Sequence, residues 1–222
     1  MKKYTIIIPT LNEEAIIAEA VQAAVSLGSQ VEVIVADGGS QDRTVAFAEA
    51  AGATVVAAPR GRGPQCNAGA AAAHGAILIF LHADTRLPDD VIGLLETWFS
   101  APRVQIAKFR LSFDIDDLVL DLAAKCMWYD TRLTSYGDQG IVIRRTFFEA
   151  LGGFPAWPLF EDVRLFERAR ERTSVVVLPA RVVTSARRFQ ANGAIPQLVR
   201  DLGLWIEYVA GVSPFEIAAR YK

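Results

Sequence analysis

The sequence predicts an α/β protein with a mostly parallel sheet flanked by helices, and three observations carry that expectation. Short β-branched or wholly apolar runs, such as residues 5–9 and 76–81, alternate with helical patterns through the first hundred residues, and continuous apolar strands are those covered on both faces. Hydrophobic residues make up 52% of the 222 residues and charged residues 22%, a balance that excludes a disordered chain or a disulfide framework. No internal repeat, low-complexity tract or Pro/Ser linker interrupts the chain, so one domain over residues 1–222 is expected, with halves at 1–100 and 101–222.

The first element is a strand at residues 5–9, stopped by proline, after which Asn12 opens a helix with Ile16, Ile17, Ala20, Val21, Ala24 and Val25 on one side. The strand and helix unit recurs as 31–36 with 44–51, as 54–58 with the alanine-rich 65–74, and as 76–81 with 89–99. The second half is more polar. It reads as a strand at 106–113, a helix at 118–133, a strand at 140–144, a Gly/Pro-rich loop at 152–158 and a helix at 161–172. Strands at 175–178 and 181–185 and a helix at 195–210 complete it.

Composition narrows the functions. Lys and Arg total 23 against 25 Asp and Glu, a net charge of −2, which gives no global attraction to nucleic acid, so no such partner is expected. Cys66 and Cys126 match no metal or redox spacing; both are expected as ordinary buried thiols in a reducing, cytoplasmic setting. The opening MKKYTIIIPTLNEE meets acidic residues too early for a signal peptide. The last helix carries Leu198, Leu202, Trp205, Ile206 and Val209 on an amphipathic pattern. Core packing, peripheral contact with the inner face of a membrane, and homodimerisation all remain open for it.

In an open parallel sheet, ligands bind beyond the carboxyl ends of the strands. Four polar clusters fall there: Pro9-Thr10-Leu11-Asn12-Glu13, Asp37-Gly38-Gly39-Ser40, Arg60-Gly61-Arg62-Gly63 and His82-Ala83-Asp84-Thr85. Taken singly, each is explained by a helix cap, a turn or a loop. Together they set carboxylates, arginines and a candidate metal ligand on one edge. No GxGxxG follows the first strand and no GxxxxGK[ST] occurs, so the dinucleotide oxidoreductases and P-loop enzymes lack their phosphate cradle here.

IIIPTLNEE, VIVADGGSQDRT, RGRGPQCNAGAAAAHG and IFLHADTRLP, followed by SYGDQGIVIRR, GGFPAWPLFEDVRLFERAR and SARRF, resemble the family-2 glycosyltransferases of GT-A fold over nearly the whole chain. The nearest branch is the small bacterial one called radical-SAM/selenodomain-associated transferases, a label that identifies no substrate. The resemblance places Pro9, Glu13, Asp37 and Arg62 around a nucleotide, with Asp37 on the base. Asn67 is either a polar site residue or a helix-packed one. His82-Ala83-Asp84 stands where the family keeps an Asp-x-Asp element that holds Mn²⁺ or Mg²⁺ on the diphosphate. Asp84 keeps the oxygen ligand; His82 is either a second ligand suited to Mn²⁺ or a hydrogen-bonded imidazole.

The resemblance further makes Asp162 the general base, with Glu161, Asp138 and Gln139 on the acceptor side, although a Glu-Asp pair also suits any helix start. Arg187 and Arg188 follow the last strand. On an extended segment adjacent side chains face opposite ways, so one of them reaches the diphosphate, and Arg188 is favoured. The implied activity is metal-dependent, inverting transfer of a sugar from a nucleotide-sugar, by default a UDP-sugar, to a hydroxyl acceptor. Two alternatives are a nucleotidyltransferase that makes an activated sugar and a non-catalytic nucleotide-sugar-binding protein. The first lacks its usual glycine-rich basic loop, because PTLNEE follows the first strand.

Overall fold

The computed structural model describes residues 2–220. In chain order the elements are β1 (Tyr4–Thr10), α1 (Ile17–Val25), β2 (Val31–Asp37), α2 (Thr44–Ala50), β3 (Thr54–Ala57), α3 (Arg62–Ala72), β4 (Ile77–Phe80), β5 (Thr85–Arg86), α4 (Val91–Phe99) and β6 (Ile106–Phe113). They continue as α5 (Leu118–Cys126), a 3₁₀ turn (Gly137–Gln139), β7 (Ile141–Arg144), α6 (Arg145–Leu151), α7 (Glu161–Arg170), β8 (Val176–Thr184), α8 (Arg187–Asn192), α9 (Ala194–Val209) and α10 (Pro214–Arg220).

One eight-stranded sheet runs β3-β2-β1-β4-β7-β6-β8-β5. Four of its seven pairings are parallel and three antiparallel, so the mostly parallel α/β expectation holds. The apolar runs are continuous because the sheet is covered on both faces. Tyr4, Ile6 and Ile8 of β1 pack with Ile17 and Val21 of α1 and Leu95 of α4. Ile7, one residue out of phase, joins Ile34, Leu78 and Phe80 against Cys66 of α3 and Phe166 of α7. A period of two thus feeds two cores from one strand. Helix α3 lies so close to β1 that a Cβ on Gly69 would collide with the Ile7 side chain.

Several boundaries differ from expectation, each for a visible reason. Helix α1 starts at Ile17 rather than at Asn12, whose φ of 56° is left-handed. Helix α5 ends at Cys126 rather than at residue 133. The carbonyls of Met127 and Tyr129, which a longer helix would give to its own amides, instead accept from the Lys108 ammonium. The two strands expected at 175–178 and 181–185 are one, β8, accommodated by a register shift opposite Lys108 and Arg110. The short helices α6, α8 and α10 carry too few turns for periodicity to announce them. Cys66 is buried, but Cys126 at the end of α5 is exposed, contrary to the expectation for both thiols. No helix among the described residues is long and apolar enough to cross a membrane.

Candidate active site

The carboxyl ends of β1 and β2 are joined by side chain to backbone bonds. Asn12 does not cap a helix; its Oδ1 accepts the Gln41 amide at 2.8 Å while its own N–H donates to Ser40 Oγ. The Glu13 amide donates to Thr44 Oγ1 at 2.8 Å. Asp37 closes its own turn, accepting from the Gly39 and Ser40 amides and from the Ser40 hydroxyl. An ionised carboxylate offers about four acceptor positions, so Asp37 retains capacity for one more donor.

Gln65 is a positioning residue that the sequence reading missed. It is buried in α3, its Nε2 donates to the Thr10 and Ala36 carbonyls, and its Oε1 accepts the Gly61 amide. One amide therefore fixes the β1 end, the β2 end and the Arg-Gly loop. A glutamine in an alanine-rich helix gives no periodicity signal; its burial does. Gln65→Ala is expected to lower the unfolding free energy by about 1–3 kcal/mol through lost buried hydrogen bonds. Urea titration measures it, and an unchanged midpoint would show the tie to be dispensable.

The strand-end carboxylates Glu13 and Asp84 meet at one guanidinium. Arg187 Nη2 stands 3.5 Å from Asp84 Oδ2 and 3.8 Å from Glu13 Oε2. The Glu13 carboxyl is raised above its usual range, first by burial and, among nearby charges, by Asp84 and Asp42, against the opposing Arg187. Arg187 and Arg188 do not lie on an extended segment. Asp114 Oδ1 takes the Ala186 amide, and the chain turns into α8, so the two side chains splay by about 100° instead of facing opposite ways. Arg187 rather than Arg188 faces Asp84; Arg188 Nη2 is 3.2 Å from Asp201 Oδ2 of α9.

A second cluster forms where the 3₁₀ turn meets α7. His82 Nδ1 lies 3.1 Å from Asp138 Oδ1 in the 3₁₀ turn, the contact of a hydrogen-bonded imidazole. Among the described residues no group of three or more His, Cys, Asp or Glu side chains could hold a metal ion. Asp162 Oδ2 accepts the Gly137 amide and Oδ1 the Val163 amide. A Cβ on residue 137 would sit 3.1 Å from Asp162 Oδ2 and 3.3 Å from His82 Nε2, so glycine there lets the imidazole and the carboxylate approach each other.

Glu161 is buried beside Asp162, with its Oε1 3.6 Å from Arg62 Nε. Its carboxyl is raised, mainly by burial and then by the Asp162 charge, with Arg62 opposing. Burial also acts to raise Asp138, but the His82 bond and charge, with Arg62 and Arg188, outweigh it and hold that carboxyl below the ordinary range. Asn12 and Phe160, the non-glycine residues of positive φ among those described, immediately precede Glu13 and Glu161. Backbone strain of this kind collects at functional sites.

Two expected site residues do other work. Asn67 spends both ends of its amide on the Phe154 backbone, at 2.9 Å each, and fastens the 152–158 loop to α3. Gln139 is wholly buried and bridges the Lys108 ammonium, the Tyr136 amide and the Met127 carbonyl, so it does not face an acceptor. Pro9, Arg62, His82, Gly137, Glu161 and Asp162 line one small cavity of ≈ 20 Å³. A larger cavity, ≈ 640 Å³, lies between α1 and the start of α4, and its lining includes Asp84 and Arg187. The buried carboxylates of α7, Glu161 and Asp162, belong to the small cavity.

The model of a family described as glycosyl transferase family 2 matches residues 5–149. No curated protein matches the chain. A mannosyltransferase from Pyrobaculum calidifontis, solved with GDP-Man and Mn²⁺, superposes with a TM-score of 0.65 at 21% identity, covering 82% of this chain and 56% of that one. Glucosyl-3-phosphoglycerate synthase from Mycobacterium tuberculosis, solved with Mn²⁺, UDP and glucosyl-3-phosphoglycerate, gives 0.61 at 22% identity, covering 82% and 71%. The same synthase has been solved with Mg²⁺ and UDP. At these identities the likeness establishes the GT-A fold, and the chain spans just over half the length of the mannosyltransferase.

Proposed function

This chain belongs to glycosyl transferase family 2, and from that premise we propose that it moves a sugar from a nucleotide-sugar to a hydroxyl acceptor, with inversion and with help from a divalent cation. The observation that carries the reading is the placement of Asp162. Backbone amides hold both its oxygens at the mouth of α7, across the strand ends from the Glu13, Asp84 and Arg187 cluster. Residues 1–100 supply most of the donor side, which Arg187 completes, and residues 101–222 most of the acceptor side, which His82 borders.

Pro9, Asp37 and Arg62 border the nucleotide in this reading, with Asp37 accepting a base N–H and Arg62 offering its fork to phosphate oxygens. Asp84 would hold the cation, with Glu13 beside it. The donor set fits. One or two carboxylates are the usual protein share of a Mg²⁺ or Mn²⁺ site whose remaining ligands are substrate phosphates and water; Glu13 is raised first by burial, and Asp84 and Asp42 add a negative contribution that a cation would relieve. Asp84 and Glu13 would hold a cation whose charge would offset that of the departing diphosphate. Arg187 already neutralises Asp84 and Glu13 and is half-exposed, which suits it to transfer its charge to the diphosphate.

On the other side Asp162 takes the acceptor proton as the hydroxyl oxygen attacks the anomeric carbon and the bond to the diphosphate breaks, so inversion follows with no covalent intermediate. Asp138 and His82 border the acceptor. The preferred donor is a UDP-sugar, and the reducing cytoplasm suits two free cysteines. Titration calorimetry with UDP and with GDP, with and without Mn²⁺, tests the donor half. Binding strengthened by Mn²⁺ is expected for UDP above GDP. Absence of binding for either nucleotide under both conditions would sink the proposal.

A further inference from the structure

Lys108 lies on β6 with no solvent exposure, and none of the steps above uses it. Its surroundings resemble the shell of a bound cation. The ammonium donates to the carbonyls of Tyr129, at 2.9 Å, and Thr134, and reaches that of Met127 at 3.5 Å. It also donates to Ser135 Oγ at 2.9 Å and meets Gln139 Oε1 at 3.4 Å. All five partners belong to residues 127–139, the segment that leaves α5 and ends in the 3₁₀ turn.

That segment has no sheet or long helix to hold it. Its carbonyls converge on one point, a geometry that is unfavourable without a charge at the centre. The segment carries the acceptor edge: Gly137, whose amide orients Asp162, and Asp138, which meets His82. The outer side of the segment is tied separately, by Asp130 and Ser135 to Arg170 of α7.

We propose that Lys108 is the positioning residue of the acceptor side, a built-in cation that winds residues 127–139 and thereby sets the Gly137 amide against Asp162. The proposal rests on the glycosyl-transfer reading of Asp162. A mere core lysine would bond to one or two groups on different elements; this one gathers a single segment. Burial brings its ammonium down to about 7, assisted by Arg170 from α7 and opposed by Asp130 from the segment, the charged groups that act on it. Opening the segment would return the ammonium to water and to its ordinary range, so a rise in pH does not by itself loosen the segment.

The test uses Lys108→Met, which keeps the length of the side chain and deletes the charge. The variant is expected to bind UDP with Mn²⁺ as the parent does, to exchange the amides of residues 127–139 about tenfold faster or more, and to lose about tenfold or more in kcat with the donor KM unchanged. Parental exchange in that segment, or parental kcat, overturns the proposal. A variant that fails to fold is replaced by Lys108→Gln, which keeps a donor amide and deletes the charge. After correction for intrinsic rates, the amides of residues 127–139 should exchange about tenfold faster or more in it than in the parent while those of β1 and β4 do not, and parental exchange in that segment overturns the proposal. A parent that binds no nucleoside diphosphate would instead refute the glycosyl-transfer reading, so the two failures are distinct.

Discussion

Asp162→Asn is expected to reduce sugar transfer by about a hundredfold or more while leaving nucleoside diphosphate affinity nearly unchanged, the signature of a lost general base. The geometry separates the members of the Glu161-Asp162 pair. Adjacent residues on a helix point about 100° apart; Glu161 turns toward Arg62, and Asp162 toward Gly137 and the acceptor edge. Asn keeps the shape but can accept only one of the two backbone amides, because its second arm is an NH₂ donor, and it takes no proton. Glu161→Gln should be milder, because burial and the neighbouring charge already raise this carboxyl, and Gln imitates its protonated form. Both variants are compared on one donor and one acceptor, with initial rates and calorimetry in parallel. Parental activity of Asp162→Asn would return the pair to a helix-starting role. A larger loss from Glu161→Gln than from Asp162→Asn would move the base one residue back.

Much of the donor side is legible in the sequence because it depends on local rules. A strand buried on both faces reads as an apolar run, and the residues just past its carboxyl end must lie at the sheet edge, so spacing alone puts Glu13, Asp37 and Asp84 there. The departures share another origin. Asn67, Gln139 and Gln65 are neutral amides whose roles depend on which distant backbone they meet, Phe154, Met127 and Thr10 respectively, and sequence spacing carries no such information. Arg187 rather than Arg188 meets Asp84, where the chain expected as extended enters α8 and Asp114 accepts the Ala186 amide. The truncation of α5 likewise needs Lys108, ten residues before the helix begins, to reach past its end. Family resemblance, rather than pattern, supplies the role of Asp162, since a Glu-Asp pair at a helix start has an ordinary electrostatic explanation.

Asp84→Ala is expected to abolish the cation-dependent part of donor binding and, with it, nearly all turnover. Asp84 is the strand-end carboxylate that the resemblance assigns to metal, and the other member of its triplet, His82, is turned to Asp138 at 3.1 Å. His82→Ala should therefore leave the preference between Mn²⁺ and Mg²⁺ unaltered and act on the acceptor side, through loss of the contact that holds Asp138. This distinguishes the geometry from the bare motif, in which an imidazole beside Asp84 would favour Mn²⁺. In Asp84→Ala, Arg187 keeps Glu13 as a partner at 3.8 Å, so weak, cation-independent affinity for the diphosphate should persist through the guanidinium. UDP titration with no metal, with Mg²⁺ and with Mn²⁺ on the parent and both variants decides the assignment. A metal increment that survives Asp84→Ala would place the cation elsewhere, and a changed Mn²⁺ to Mg²⁺ ratio in His82→Ala would restore the imidazole as a ligand that swings away from Asp138 when donor binds.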